Sequence, residues 1–174
     1  VIAETKRCLI RELALEDLPE LMDLYDREGI SYCIDENGEK TTGFVEPLFA
    51  YEEEWEYQKN YIKHMYHCFE FGMWLILDKE SQTLIGRAGL ETREFENGVE
   101  MELGYLIHPN WQRKGIATEV CMEIIAYARE FLNCEKLNLL VEKENIPSLA
   151  LAKKCGFVFL ENMLLKGTQM QRYV

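Results

Sequence analysis

The sequence predicts an α/β fold of the α+β kind, in which a mixed, mostly antiparallel sheet of about seven strands is flanked by about four helices. Short apolar runs that alternate with polar residues and end at turn-forming residues indicate the strands. Apolar residues that recur every three or four positions indicate the helices. A chain of 174 residues, 48% of them hydrophobic, can bury one core, and we expect a single domain over residues 1–174.

The first predicted elements are a strand and a pair of helices. Residues 7–12 alternate as a strand does, and helical spacing then begins at Leu15, Leu18, Leu21, Met22 and Leu24. Residues 31–47 include Asn37-Gly38 and other turn-forming residues, and are predicted to form a mobile loop. A second helix is predicted over residues 52–69, with an apolar side formed by Trp55, Ile62, Met65, Tyr66 and Phe69.

The remaining strands of the predicted sheet follow. Three strand-like runs, joined as hairpins, span residues 73–78, 84–91 and 99–107. A loop that ends at Gly115 precedes a long amphipathic helix with apolar positions Ala117, Val120, Cys121, Ile124, Ile125, Ala128 and Phe131. A buried strand (137–141), a short helix (146–154) and a terminal hairpin (157–160 with 168–174) complete the order.

Composition excludes several classes of function. The formal net charge is -12 without any basic run, which argues against nucleic-acid binding. Such a charge would attract a cationic substrate, or would do no more than keep the protein soluble, which is the commoner case. No stretch approaches the ~18 apolar residues of a membrane helix, so we expect a soluble, cytoplasmic protein. The six cysteines are scattered, which is typical of buried thiols in a reducing compartment. His64 and His67 lack a third ligand, so no metal site is predicted.

One segment combines the end of a strand, a loop and the start of a helix. It reads Gln112-Arg113-Lys114-Gly115-Ile116-Ala117 and directly precedes the long amphipathic helix. A helix start exposes unpaired N–H groups and the positive end of the helix dipole, so a phosphate group can be bound there by backbone alone. The three-glycine dinucleotide loop and the G-x-x-x-x-G-K-[ST] loop are both absent from the sequence. The segment therefore predicts a phosphate site of another kind.

Two linked motifs resemble the GNAT superfamily of N-acetyltransferases. Residues 112–117 are similar to its acetyl-CoA loop, Q/R-x-x-G-x-G/A, and Asn145-Ile146-Pro147-Ser148, followed by Gly156-Phe157, is similar to its later N-x-x-S segment. The strand Glu102-Leu103-Gly104-Tyr105 resembles the corresponding strand of the ribosomal-protein N-terminal (alanine/serine) acetyltransferase type. The resemblance covers nearly the whole chain except residues 31–47.

The resemblance implies a GNAT-like sheet that splays between its fourth and fifth strands, where the pantetheine arm of acetyl-CoA would bind. It implies acetyl transfer from acetyl-CoA, as co-substrate, to a primary amine on a small molecule or a protein N-terminus. Neither a metal, a nucleic acid nor a membrane would take part, and the protein would be a monomer or homodimer. The donor would be bound by Leu106, Ile107, His108, Gln112, Arg113, Lys114, Gly115, Ile116, Ala117, Thr118, Asn145 and Ser148.

By the same resemblance, catalysis would depend on one strand. A main-chain N–H at Leu106 or Ile107 would polarise the thioester carbonyl as the tetrahedral intermediate forms. Glu102 would take a proton from the amine, directly or through water. The alternative for Glu102 is a solvated strand carboxylate, because Glu100 lies two positions away on the same face.

The departing thiolate of CoA needs a proton donor. Many members of the superfamily use a tyrosine at the position that Ala152 occupies here. Ser148 is the predicted substitute, and its alternative role is to cap the helix that begins there.

A second class of function stays open alongside the enzyme. A CoA-binding module that has lost catalysis, and acts as a sensor or scaffold, is favoured by the missing tyrosine. The complete loop and Glu102 favour the enzyme. Another acyl donor, such as succinyl-CoA, and the identity of the acceptor also stay open, because residues 25–69 would set that specificity.

Overall fold

The computed structural model describes residues 1–27, 32–34, 40–42 and 47–174, with the two short internal segments described as backbone. The strands in this part of the chain are β1 (Ala3–Glu4), β2 (Cys8–Arg11), β3 (Tyr32–Ile34), β4 (Lys40–Thr42), β5 (Met73–Asp78), β6 (Leu84–Phe95), β7 (Gly98–Ile107), β8 (Leu137–Glu142), β9 (Phe159–Leu165) and β10 (Thr168–Tyr173). The α-helices are α1 (Leu18–Tyr25), α2 (Tyr51–Tyr61), α3 (Ile116–Phe131) and α4 (Ile146–Lys154). A π-helical segment (Ile62–Phe69) continues α2, and 3₁₀ turns lie at Leu15–Asp17 and Pro109–Trp111.

Eight strands form one sheet, in the order β1-β2-β5-β6-β7-β8-β10-β9. Neighbouring strands run antiparallel except β7 and β8, which run parallel. The predicted fold class is therefore confirmed, with its hairpins. The additional strand is β1, which pairs Ala3 with Ile10 and Glu4 with Leu9 on the outer edge of β2. Two residues are too few for alternation to reveal a strand.

Helices cover both faces of the sheet. Arg87 and Ala88 are neighbours on β6, so their side chains point to opposite faces. The ring of Tyr61 in α2 contacts the Arg87 guanidinium, 5.7 Å from ring centroid to carbon. On the other face, Trp74, which pairs with Ala88, contacts Tyr127 of α3 edge to face at 5.1 Å. The sheet is therefore enclosed between α2 and α3, and the central strands are buried.

The long helix after the loop has the predicted apolar face. Helix α3 buries Ile116, Val120, Cys121, Ile124, Ile125 and Ala128 against the sheet. Phe131, the last residue of α3, is an exception because it is 67% exposed and packs on the ring of Tyr127. Within the described residues, no helix has the length and apolarity needed to cross a bilayer.

The predicted apolar side of the second helix is wrong in part. Tyr66 is buried, but Phe69 is 59% exposed, and α2 instead buries two polar residues, Glu54 and Gln58. The Gln58 amide donates to the Glu54 carboxylate at 2.6 Å, and the N–H of Phe49 donates to the same carboxylate at 2.9 Å. A π-helical turn holds more residues than an α-helical turn, so the face that α2 presents does not continue at 3.6-residue spacing beyond Tyr61.

Most of the predicted loop over residues 31–47 lies outside the described residues. Where the backbone is described, β3 and β4 pair antiparallel, with Tyr32 opposite Thr42 and Ile34 opposite Lys40. The prediction of a loop is therefore wrong for these two segments, which form paired strands. Their aromatic and β-branched residues suit a strand.

At Gly89 of β6, the backbone of Gly72 comes so close that it leaves no room for a side chain. A Cβ added at Gly89 would lie 1.9 Å from the carbonyl oxygen of Gly72, whereas one added at Gly104, its partner across the strands, would lie 3.5 Å from the Met73 sulfur. Gly89→Ala should therefore lower the free energy of unfolding by about 3 kcal/mol or more, and Gly104→Ala should change it by less than about 1 kcal/mol. Urea unfolding of both variants checks this, and equal effects would contradict it.

Candidate active site

A cleft opens where β7 and β8 part. In the described structure, the parallel ladder between them consists of two pairs, Met101 with Leu137 and Glu102 with Asn138. Beyond Asn138, β8 continues in register with β10. The edge of β7 from Leu103 to Ile107 then lines a cleft of about 520 Å³. Every second residue of an antiparallel strand directs its N–H and C=O away from its partner, so this edge offers backbone groups to a ligand.

Buried polar side chains fix the point where the strands part. The Asn138 amide, fully buried, donates to the Glu100 carboxylate at 2.9 Å and to the carbonyl of Met101 at 3.0 Å. Its oxygen accepts a hydrogen bond of 2.8 Å from Arg172 of β10. Arg172 also donates to Glu100 at 2.8 Å and lies 3.7 Å from the Phe95 ring centroid. One side chain from each of β7, β8 and β10 is thus joined at the fork.

The loop before α3 ends in left-handed backbone. Gly115, the N-cap of α3, has φ 77° and ψ 3°, and Arg113 has φ 59°. Gln112 ties the loop to the strand, because its side-chain amide donates to the carbonyl of Ile107 at 2.9 Å. The first turn of α3 therefore opens into the cleft beside the bare edge of β7, with its N–H groups and helix dipole suited to an anion.

Arg7, which lies between β1 and β2, holds this loop in place. Arg7 donates to the Glu119 carboxylate through its backbone N–H (2.9 Å) and Nε (2.8 Å), and its Nη1 donates to the carbonyl of Lys114 (2.8 Å). Burial alone would raise the pKa of Glu119, but hydrogen bonds from Thr5 and Arg7 outweigh it and lower that pKa. The negative charge in the first turn of α3 is thus neutralised beside the anion site. No local sequence pattern indicates this pair, because its two residues lie 112 positions apart.

Most of the predicted donor-binding residues come together in this cleft. It is lined by Leu106, Ile107, Gln112, Arg113, Gly115, Ile116, Ala117, Thr118, Asn145 and Ser148.

His108 and Lys114 do not line it. His108 borders a separate hollow with Asp23 and Arg27, and burial lowers its pKa. The Lys114 ammonium lies 5.1 Å from the ring centroid of Trp111, and the Lys114 carbonyl accepts a hydrogen bond from Arg7.

Glu102 lies in the wall of the cleft. Its side chain is 12% exposed and forms an ion pair with Arg93 of β6. Burial raises the pKa of Glu102, and the opposing effect of Arg93 does not cancel the rise. Glu102 is therefore not a solvated carboxylate, and its pKa is shifted in the direction that suits a general base at neutral pH. Arg93 was absent from the predicted site.

Glu100 lies on the same face of β7, two residues away, in a different environment. Hydrogen bonds from Lys136, Asn138 and Arg172 outweigh burial and lower the pKa of Glu100 to about 2. The carboxylate is therefore fixed in its charged form at the fork. Of these two glutamates, Glu102 is the one that lines the cleft and has a raised pKa.

The start of α4 forms the opposite wall of the cleft. Asn145 caps this helix, because its side-chain oxygen accepts a hydrogen bond of 3.2 Å from the N–H of Ser148. The alternative that Ser148 is the cap is therefore wrong. The Ser148 hydroxyl instead accepts a hydrogen bond of 2.6 Å from the Tyr105 hydroxyl. Ala152, one turn further along, is fully buried.

Tyr105 was missed as a site residue. Alternation along β7 places the Tyr105 side chain on the face opposite Glu102, and this was the only sign of its position in the sequence. Its contact with Ser148 could not be predicted locally, because the two residues are 43 positions apart.

Among the described residues, no group of three or more His, Cys, Asp and Glu side chains is arranged to hold a metal ion.

The family of the chain follows from its sequence as well as its geometry. Residues 7–158 match the sequence profile of the acetyltransferase (GNAT) domain. The chain therefore belongs to the GNAT acetyltransferase family, whose members use acetyl-CoA as co-substrate and an amine as acceptor.

Several curated relatives are named N-acetyltransferases. The N-acetyltransferase p20 of Bacillus licheniformis, itself uncharacterised, is 35% identical over 82 residues, which are 47% of this chain and 46% of p20. The chain spans about half the length of several curated relatives that it matches. The N-acetyltransferase YoaA of Bacillus subtilis, also uncharacterised, is 24% identical over 96% of this chain and 90% of YoaA.

Solved structures share the fold. A GNAT-family acetyltransferase from Bordetella pertussis superposes with a TM-score of 0.75 at 18% identity, over 98% of this chain and 96% of that one. A mutant form of the spermidine N-acetyltransferase SpeG from Vibrio cholerae gives a TM-score of 0.70 at 23% identity, over 95% and 91% of the two chains. These comparisons support the GNAT family and do not single out the ribosomal-protein type.

The two glutamates of β7 should make stability depend on pH in opposite directions. Glu100, with a pKa of about 2 against an ordinary 4.5, stabilises the folded protein above pH 4.5, and this contribution is lost as the pH falls toward about 2. Glu102, with a raised pKa, destabilises the folded protein as the pH rises above its ordinary 4.5. At pH 7, Glu100→Gln should therefore cost about 2 kcal/mol, and Glu102→Gln should be as stable as the wild type or more so.

Urea unfolding of the wild type and both variants between pH 3 and pH 7 measures these differences. The loss caused by Glu100→Gln should shrink below pH 4.5. A loss that stays constant over the whole range would show that the charge of Glu100 is not what stabilises the fork.

Proposed function

We propose that this protein transfers an acetyl group from acetyl-CoA to a primary amine, by direct attack in a ternary complex. The observation that carries the proposal is the single cleft that joins the N-terminus of α3, the bare edge of β7 and the carboxylate of Glu102. These are an anion site, a row of backbone groups and a base with a raised pKa, placed in that order along one opening.

The donor would lie along the cleft from the loop to the fork. Its pyrophosphate would be bound by the N–H groups of Gly115, Ile116 and Ala117, with Arg113 adding positive charge. Its pantetheine arm would pair with the edge of β7, as an added strand does at an open sheet edge. The N–H of Leu106 or Ile107 would then stabilise negative charge on the thioester oxygen as the tetrahedral intermediate forms.

The acceptor would be activated at Glu102. An amine arrives protonated at neutral pH, and its lone pair is released when the carboxylate takes a proton, directly or through one water. The raised pKa of Glu102 brings it closer to that of the amine, and Arg93 holds the carboxylate in place. Ionisation of Glu102 would appear as the acidic limb of the pH–rate profile.

Direct attack is favoured over a covalent enzyme intermediate. Cys121 is fully buried in α3, and burial raises the pKa of its thiol well above 9.0. Burial also raises the pKa of Cys155. Neither thiol is set up to act as a thiolate nucleophile.

The acceptor is assigned to a chemical class, the cationic amines, and not to one compound. The net charge of -12 favours a cationic amine, on either a small molecule or a protein N-terminus. The strand Glu102-Leu103-Gly104-Tyr105 supports a kinship with the ribosomal-protein N-terminal acetyltransferase type, whereas one fold neighbour is a spermidine N-acetyltransferase. Peptides and polyamines therefore both belong in the first panel of acceptors.

A free-thiol assay with acetyl-CoA and that panel tests the reaction. The wild type should release CoA with at least one amine, and Glu102→Gln should lower kcat by about 10²- to 10⁴-fold because the base is lost. Glu94→Gln, which removes an exposed carboxylate from β6 outside the cleft, is the matched control and should behave as the wild type. CoA affinity, measured by calorimetry, should be unchanged in both variants.

Two outcomes would redirect the proposal. No release with any amine, despite measurable CoA binding, would favour a CoA-binding sensor or scaffold. Faster release with succinyl-CoA than with acetyl-CoA would keep the enzyme and change its donor.

The Arg7–Glu119 pair should control donor affinity through charge. Arg7→Ala leaves the Glu119 carboxylate without its neutralising partner beside the pyrophosphate, so affinity for CoA should fall about tenfold, equal to about 1.4 kcal/mol. Adding Glu119→Gln to this variant should restore part of the affinity, since the repelling charge is then gone. Calorimetric titration with CoA measures each step.

Arg11→Ala is the matched control for this cycle. It breaks another arginine–carboxylate pair, between Arg11 of β2 and Asp17, neither of which lines the cleft, and CoA affinity should stay within about twofold of the wild type. Equal loss in Arg7→Ala with and without Glu119→Gln would show that Arg7 acts on the loop backbone and not on charge.

A further inference from the structure

We propose that the hydroxyl pair of Tyr105 and Ser148 supplies the proton that the CoA thiolate takes up as it leaves. Ser148 is the group that touches sulfur, and Tyr105 is a positioning residue that delivers its proton through Ser148. The inference rests on the proposed acetyl transfer and adds to it a residue, Tyr105, that the predicted site lacks.

The pair spans the cleft at the level of the bare strand edge. Tyr105 belongs to β7, whereas Ser148 lies in the first turn of α4, the helix that follows β8. Their oxygens are 2.6 Å apart, and both residues line the cleft. A thioester that lies along the edge of β7 must pass this hydrogen bond.

The pair and the proposed base lie on opposite faces of the same strand. Tyr105 is three positions from Glu102, so alternation directs the two side chains to different faces of β7. The attacking nitrogen and the leaving sulfur are two different substituents of one tetrahedral carbon. A base on one face and an acid on the other can therefore serve both without competing for the same proton.

The chemistry favours the tyrosine as the source of the proton. A phenol has an ordinary pKa near 10, close to about 8.5 for a thiol, whereas an alcohol is a much weaker acid. Because Tyr105 donates to Ser148, the serine proton is directed away from Tyr105 and toward another acceptor. Ala152, one turn beyond Ser148 and buried, offers no proton of its own.

The step balances without another reagent. As the carbonyl re-forms, the C–S bond breaks and its electron pair stays on sulfur. Sulfur takes the proton of Ser148 while the proton of Tyr105 moves to Ser148, and the phenolate left behind takes a proton from solvent. The ammonium nitrogen loses two protons to solvent through Glu102, so one proton is released for each acetyl group transferred.

Steady-state kinetics of Tyr105→Phe, Ser148→Ala and the double variant test the relay. Tyr105→Phe keeps the ring and should lower kcat by about 10²-fold, with the KM for acetyl-CoA within about twofold of the wild type. If the tyrosine acts through the serine, the double variant should lose no more than Ser148→Ala alone. Tyr173→Phe, which removes a hydroxyl outside the cleft, is the control and should keep full activity.

A second measurement needs no turnover. A hydroxyl pair that donates to sulfur should hold the thiol pKa of bound CoA below that of free CoA, and thiolate absorbance across a pH titration should show this in the wild type. The pKa of the bound thiol should return toward the free value in Tyr105→Phe and in Ser148→Ala.

The outcomes separate the inference from the function on which it rests. An active wild type with a fully active Tyr105→Phe, or with additive losses in the double variant, would overturn the relay and leave acetyl transfer standing. A wild type that is inactive with every amine but shows the lowered thiol pKa would overturn acetyl transfer and keep the hydroxyl pair as a sulfur-binding group. Inactivity together with an unshifted thiol pKa would overturn both.

Discussion

The parting of two parallel strands at Asn138 is the constraint on which the rest of this structure depends. A strand can pair with one neighbour on each side, and beyond Asn138 the strand β8 continues with β10 while β7 is left with β6 alone. The buried Asn138 amide uses its groups on Glu100, Met101 and Arg172, so it is bonded to both branches at the point where they separate. The open strand edge, the cleft and the place of the helix start all follow from that divergence.

Environment, and not residue type, distinguishes the carboxylates near this fork. Glu100 and Glu102 share a strand and a face, but three hydrogen-bond donors hold the first in its charged form, whereas burial beside one arginine raises the pKa of the second. Glu119 is a third case, since its charge lies at the dipole of α3 and is balanced by Arg7. The fork, the wall of the cleft and the first turn of α3 therefore hold a fixed anion, a carboxylate of raised pKa and a neutralised carboxylate, all made from glutamate.

The sequence predicted the parts of the fold that depend on local periodicity and the site residues that lie close together in the chain. The seven predicted strands, α3 and the loop from Gln112 to Ala117 lie where hydrophobic spacing and the motif placed them. It could not reveal contacts between distant segments, such as Arg7 with Glu119 or Tyr105 with Ser148, because no local pattern encodes them. Two local predictions also failed: the π-helical segment changed which side of the second helix is buried, and His108 and Lys114 do not line the cleft.

The two-rung contact between β7 and β8 divides the sheet into a five-stranded part and a three-stranded part. Such a sheet is incomplete by itself, and a ligand whose amide groups pair with the bare edge of β7 would supply the missing rungs. The bound donor would then complete the sheet as well as take part in the reaction. Cohesion between the two halves would rise with the concentration of the donor, since any molecule that binds the native state stabilises it by mass action. The protein saturated with donor would thus have a higher free energy of unfolding than the protein without it.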